Sequence, residues 1–122
     1  MARNLSGTLL ASAARTATVN SSDIVAQFAR GVRISIDVTA ASATPSVTPK
    51  VQVKDPASGV YSNVLVGAAI TGAGHVELAV YPGIEASANV AADAPLAREW
   101  RVRMEHGDAD SITYSVGYVM LV

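Results

Sequence analysis

The chain has 122 residues, half of them hydrophobic, and a formal net charge of −1; such a length holds one domain with one core, and such a composition excludes a disordered chain. The near-neutral charge and the scatter of the 9 Lys and Arg residues leave no field to draw in nucleic acid or an acidic membrane surface. The absence of cysteine excludes disulfides, thiolate chemistry and Cys-based zinc sites, and no run approaches the roughly 20 apolar residues of a membrane span.

Residues 1–13 combine Arg3, a short apolar stretch and the small residues Ala11, Ser12 and Ala13, which imitates a signal peptide. Ser6, Gly7 and Thr8 interrupt the run between Leu5 and Leu10, so it is too short and polar for that role. The segment reads as an N-terminal arm outside the core, able when extended to reach roughly 40 Å. Asn4-Leu5-Ser6 and Asn20-Ser21-Ser22 match the glycosylation pattern, which has meaning only in a secreted protein. Residues 14–122 are expected to form the domain itself. Over 21–30, Ser and Asp precede Ile24, Val25 and Phe28, which suits either one helical turn or an irregular connection.

From there period-two alternation dominates, the mark of strands with one buried face. Val32, Ile34, Ile36 and Val38 alternate with Arg33, Ser35 and Asp37; Val51 and Val53 alternate with Lys50, Gln52 and Lys54. Asp55-Pro56-Ala57-Ser58-Gly59 then supplies turn chemistry, Pro presetting φ and Gly accepting a positive one. Thr71-Gly72-Ala73-Gly74 predicts a hairpin between a strand over 61–70 and one over 75–81, in which Val76, Leu78 and Val80 share a face. Tyr81-Pro82-Gly83 stops that strand. The Ala-rich stretch 85–97, with Pro95, reads as a long crossover holding a short helix.

Trp100, Val102 and Met104 alternate with Arg101, Arg103 and Glu105, and residues 106–110 predict a second hairpin into the final strand. There Ile112, Tyr114, Val116, Tyr118 and Met120 form one face, while the other turns apolar at Val119 and Leu121. A strand end apolar on both faces belongs in a sheet centre or an interface. About seven or eight short strands separated by such turns predict an all-β fold, an antiparallel β-sandwich of jelly-roll type. The charged fraction is 16%, against about 25% in ordinary soluble domains. Either other protein covers part of the surface, or Ala, Ser and Thr solvate it.

Chemistry-bearing residues are few. His106, Asp108 and Asp110 are the densest group of candidate metal ligands, but three on one turn are too few and Asp and Gly are ordinary turn formers. His75 starts a strand opposite Val76 with no nucleophile specified beside it, and no G-x-S-x-G elbow is present. Gly72-Ala73-Gly74 lacks the glycine spacing, the following helix and the lysine of a phosphate loop. Asp55 with Glu77, or Glu99 with Glu105, would have to flank a sugar bond to act as glycosidase carboxylates, and outward strand positions carry such charges in any case. Tyr61, Tyr81, Tyr114, Tyr118 and Trp100 are a carbohydrate platform on one view, although Trp100, Tyr114 and Tyr118 fall on core-facing registers. Arg101 and Arg103 are expected to pair with carboxylates of neighbouring strands or with a partner protein. No catalytic, cofactor-binding or metal-binding residue is therefore assigned, and the chain is expected not to be an enzyme.

Several blocks in order carry a resemblance. They are Arg30-Gly31-Val32 leading to Ile36-Asp37-Val38-Thr39-Ala40, then Lys54-Asp55-Pro56-Ala57-Ser58-Gly59-Val60-Tyr61, Val80-Tyr81-Pro82-Gly83, Trp100-Arg101-Val102-Arg103, and the run from His106 to Val116. From about Ala14 onward the chain resembles a group of small β-sandwich proteins from the structural gene clusters of tailed bacteriophages, of the head decoration or cement type. The resemblance implies a virion protein made in the host cytoplasm and bound to the capsid surface. The implied partners are the major capsid protein and further copies of the chain, with a trimer favoured; no catalytic residue, cofactor, nucleic acid or membrane is implied. A tail, neck or baseplate component and a carbohydrate-binding adhesion module are the alternatives.

Overall fold

A computed structural model of the chain describes residues 4–122. These residues form ten strands: β1 (Leu5–Arg15), β2 (Val19–Asn20), β3 (Ile24–Val25), β4 (Gly31–Ala41), β5 (Val47–Lys54), β6 (Tyr61–Val66), β7 (Gly74–Val80), β8 (Ala91–Ala92), β9 (Glu99–His106) and β10 (Ile112–Leu121). The first sheet has the order β1-β10-β4-β7-β8; the second has the order β2-β9-β5-β6, with β3 also on β9. All pairings are antiparallel except β7 with β8. The all-β sandwich expected from the alternation is the fold observed.

The alternating residues explain the core. Val32, Ile34, Ile36 and Val38 of β4 are buried, as are Leu78 and Val80 of β7 and Tyr114, Val116 and Met120 of β10. Opposite them lie Val47 and Val51 of β5 and Trp100, Val102 and Met104 of β9. The two sheets meet where the Trp100 ring packs edge-on against Tyr118, with centroids 5.5 Å apart and planes at 76°. Removing this apolar surface from water is the main favourable term, at about 25 cal/mol per Å². The strand apolar on both faces, β10, lies inside the first sheet between β1 and β4.

Connections differ more from expectation than strands do. The turn at 55–59 does join neighbours, β5 and β6. Asp55 accepts hydrogen bonds from Ala57 N (2.9 Å) and Ser58 Oγ (2.8 Å), and Gly59 takes φ 76°. The two other expected hairpins are corners: residues 67–73 carry the chain from β6 in the second sheet to β7 in the first, and 107–111 carry it from β9 to β10 likewise. Alternation records which side of a strand faces the core; it does not record which strand lies alongside. The strand expected over 61–70 stops at Val66, because Gly67 N then bonds to Pro49 O and Ile70 bridges Val47.

No helix occurs among the described residues, so neither the helical turn in 21–30 nor the short helix in 85–97 forms. Over 21–30 the chain instead follows β9, where the buried Ser21 bridges the gap between β2 and β3: its backbone N bonds to Val102 O and its Oγ accepts from Val102 N, each at 2.9 Å. Within 85–97, β8 pairs parallel to β7. The segment read as an arm, 1–13, has its first three residues outside the described ones. From Leu5 on it belongs to β1, an 11-residue strand whose side chains are mostly exposed.

Candidate functional site

β1 is the outermost strand of the first sheet, with β10 on one side and a free edge on the other. Between Leu5 and Ala14 it carries no charge and no proline, the devices that ordinarily blunt an exposed edge. Leu9 and Leu10 pack against the core, while two register shifts, between Thr8 and Leu10 and between Leu10 and Ala13, loosen its contact with β10. After the second shift the pairing with β10 resumes from Ala13 to Arg15, and the Arg15 side chain adds a clasp of its own. Its guanidinium donates to the carbonyls of Ala11 (2.5 Å), Ala13 (3.2 Å) and Tyr114 (2.6 Å). It also lies 4.6 Å from the centroid of the Tyr114 ring, a cation–π contact.

On the other side of Tyr114 stands His106. Its Nε2 is 2.9 Å from Tyr114 Oη, and its Nδ1 is buried with no hydrogen-bond partner among the described residues. Burial pushes the Tyr114 hydroxyl up to about 12, with the Arg15 charge opposing. Burial also holds His106 below its ordinary value; Asp108 opposes that shift and Arg15 adds to it. At neutral pH both groups are therefore uncharged, because burial disfavours the charged form of each. Arg15, Tyr114 and His106 tie β1, β10 and β9 together at one end of the sandwich.

The other candidate residues do not converge. Asp110 accepts from Thr44 N (3.1 Å) and Thr44 Oγ1 (3.3 Å), Asp108 accepts from Asp110 N (3.1 Å), and His106 turns inward. No group of three or more His, Asp or Glu side chains suited to a metal ion occurs among the described residues. His75 bonds to Glu77, which also accepts from Arg33 Nε at 2.5 Å. Burial raises the Glu77 carboxyl, but the bonds from Arg33, Ser35 and His75 together hold it below the usual range. Asp55 lies in the turn after β5 of the second sheet and Glu77 on β7 of the first, and Glu99 and Glu105 stand at opposite ends of β9, about 20 Å apart along the strand. Glu99 pairs with Lys54 (3.4 Å) and Glu105 with Lys50 (2.8 Å). Gly72-Ala73-Gly74 leads into β7, not into a helix.

The aromatic residues are likewise dispersed. Trp100 and Tyr114 are fully buried, and Tyr81 donates its hydroxyl to Val122 O at 3.1 Å. The Tyr61 ring has the Arg101 guanidinium 3.5 Å from its centroid, and its hydroxyl donates to Asp23 at 2.6 Å. That bond, with help from Lys54, keeps the Asp23 carboxyl low. Arg101 also donates to Gln52 Oε1, and Gln52 in turn donates to Asn63. Arg103 lies 3.5 Å from Glu105 of its own strand. The outer face of the second sheet is thus a lattice of mutually satisfied polar groups. Arg15 and Asp23 were not picked out by spacing; Arg15 does leave one signal, as the single charge closing a long uncharged segment.

The sequence matches no protein-family model, and no curated protein is significantly similar to it. In three dimensions the chain is similar to the crystal structure of SPBc2 prophage-derived protein YomS, with a TM-score of 0.54 and 14% sequence identity. The likeness covers 96% of this chain and 93% of that one. At this identity the shared property is the fold.

Proposed function

We propose that the chain is a structural protein of a tailed-phage particle, and that it decorates the outside of the mature head by binding the major capsid protein. The observation that carries this reading is the free edge of β1, long, uncharged up to Arg15 and held in place by that residue. An open row of backbone N–H and C=O groups is completed by an extended segment of another protein, with main-chain hydrogen bonds supplying affinity. From Leu5 onward the segment read as an arm is already a strand; it offers its outer edge ready-made, which lowers the entropy cost of docking. The phage setting is supported by the ordered sequence blocks and by the fold likeness to a prophage-derived protein. The role is binding rather than catalysis, and the place of action is the capsid surface.

A protein that binds the expanded head lattice better than its precursor adds its binding free energy to the stability of the expanded state. Many copies engaging one lattice gain further through effective concentration. The test is co-sedimentation of the purified protein with expanded heads, unexpanded heads and tails. Saturable binding to expanded heads, lost in the Thr8→Lys, Ser12→Lys double variant, is the expected result. Binding to tails would move the protein to a tail or neck position, and binding to none of the three would end the virion reading.

A further inference from the structure

His106 is held where a second proton on its ring has no place. It closes β9, and its backbone is fixed: its N donates to Thr18 Oγ1 at 3.0 Å, Gly107 N donates to Ser46 O at 2.8 Å, and the residue pairs with Val47 of β5. Its Nε2 meets Tyr114 Oη at 2.9 Å, while its Nδ1 is buried without a hydrogen-bond partner among the described residues. A neutral imidazole suits this setting with its N–H toward the hydroxyl and a bare Nδ1. An imidazolium carries a further N–H at Nδ1, buried and with nothing to receive it, which is unfavourable. It also sets a second cation against the Tyr114 ring, whose centroid lies 5.9 Å from that of His106 and 4.6 Å from the Arg15 guanidinium. The charged groups that face the imidazole are Arg15 from β1 and Asp108 from the following turn. Asp110 is engaged by Thr44, and Thr18 and Ser46 bring only a hydroxyl and a carbonyl.

We infer that His106 is a proton-operated latch on β1: when the imidazole takes up a proton, residues 11–15 come away from β10 while the two sheets stay folded. Repulsion between two cations is relieved at the weaker of the elements that hold them. β9 lies inside the second sheet, between β2 and β5, whereas β1 is an edge strand, shifted in register between Thr8 and Ala13 and exposed over 11–14. Arg15 transmits the change, because the same guanidinium that faces the imidazole clasps the carbonyls of Ala11, Ala13 and Tyr114. In the released form the imidazole is solvated and binds its proton more readily. In the closed form it is held below its ordinary value, by burial first and with Arg15 in support against Asp108. Acid therefore favours release. The latch rests on the reading of the β1 edge as a docking surface: release shortens that edge to residues 5–10, so docking belongs to neutral pH and is lost on acidification.

The experiment is amide hydrogen exchange on the purified full chain at pH 7.5 and pH 5.5, each rate taken relative to an unstructured chain at the same pH. Residues 11–15 are expected to lose protection by roughly tenfold or more at the lower pH, and residues 32–38 of β4 much less. His106→Gln, which keeps a donor toward Tyr114 but does not titrate, should leave 11–15 equally protected at both. Asp108→Asn keeps the turn's acceptor but removes the carboxylate that favours the imidazolium, so release should move to lower pH; this variant decides the matter if His106→Gln does not fold. Protection over 11–15 that is indifferent to pH in the wild type would overturn the latch. So would a loss shared equally with β4, a loss that persists in His106→Gln, or release at an unchanged pH in Asp108→Asn. Co-sedimentation with expanded heads at the same two pH values separates the latch from the docking reading. Binding at pH 7.5 that is lost at pH 5.5 is expected, whereas binding at neither ends the docking reading and leaves the exchange result to decide the latch.

Discussion

Arg15 and Tyr114 share more than a stacking contact: the guanidinium lies 4.6 Å from the ring centroid and also donates to the Tyr114 carbonyl at 2.6 Å. One side chain thereby grips both the ring and the backbone of the strand on which β1 rests. Arg15→Ala should destabilise the protein by about 1–3 kcal/mol through lost charged hydrogen bonds and stacking. Arg15→Lys should recover only part, since an ammonium keeps the charge but not the planar fork that spans three carbonyls. Amide exchange should accelerate first over 11–15, and equal acceleration across both sheets would contradict this account.

His106 sets a pH dependence whose sign follows from its burial. Its folded value lies below the ordinary 6.5, so around and below that pH the unfolded chain binds more protons than the folded one. Stability contributed by the neutral imidazole is present above pH 6.5 and is lost as the pH falls below it. The lowered carboxylates Asp23, Glu77 and Glu105 act in the same direction but only below about 4.5. Denaturant titrations at pH 7 and pH 5 should therefore show a fall in stability for the wild type that is smaller in His106→Gln.

Gly31 opens β4 against the end of β7, where an added Cβ would come within 2.2 Å of Val80 O and 2.6 Å of the Tyr81 ring. The Val80 carbonyl is backbone and cannot swing aside. Gly31→Ala should cost about 3 kcal/mol or more, with the lesion visible as a lowered thermal midpoint. Gly72→Ala, where the new Cβ meets nothing within 4 Å, is the control expected to leave that midpoint nearly unchanged.

Ser21 is buried and its Oγ accepts from Val102 N. Ser21→Ala would strand that buried N–H, at a cost of about 1–3 kcal/mol. Urea unfolding followed by Trp100 fluorescence measures it. A shift within error would mean that β9 relaxes to find another acceptor.

The sandwich and most of its core were legible because alternation is a local signal. Val32, Ile34, Ile36 and Val38, and Trp100, Val102 and Met104, each needed only their own spacing to be placed inside. Pairing was less legible. The glycines of 71–74 and the Asp-rich 106–110 look alike whether they fold a strand back on its neighbour or pass it to the opposite sheet, because the choice rests on contacts distant in sequence. β1 was missed as a strand for a related reason: Ser, Gly, Thr and Ala give it almost no alternation, and it is held by β10 and by Arg15. The exposure of Phe28 was not legible, because with Ile24 and Val25 it suits a helical turn as well as an irregular connection. The polar groupings read as turn or surface chemistry lie apart on the surface, each satisfied by a different neighbour.

β1 takes its ladder only from β10, the last strand in chain order. During synthesis, therefore, β1 emerges well before the strand it pairs with, and the two meet across a long stretch of intervening chain. Among the described strands only β5–β6 and β7–β8 pair neighbours in chain order, so assembly should be slow for a domain of this size. Until β10 arrives, β1, uncharged from Leu5 to Ala14, has no strand beside it. Its outer edge is therefore defined only once β10 is in place beside it.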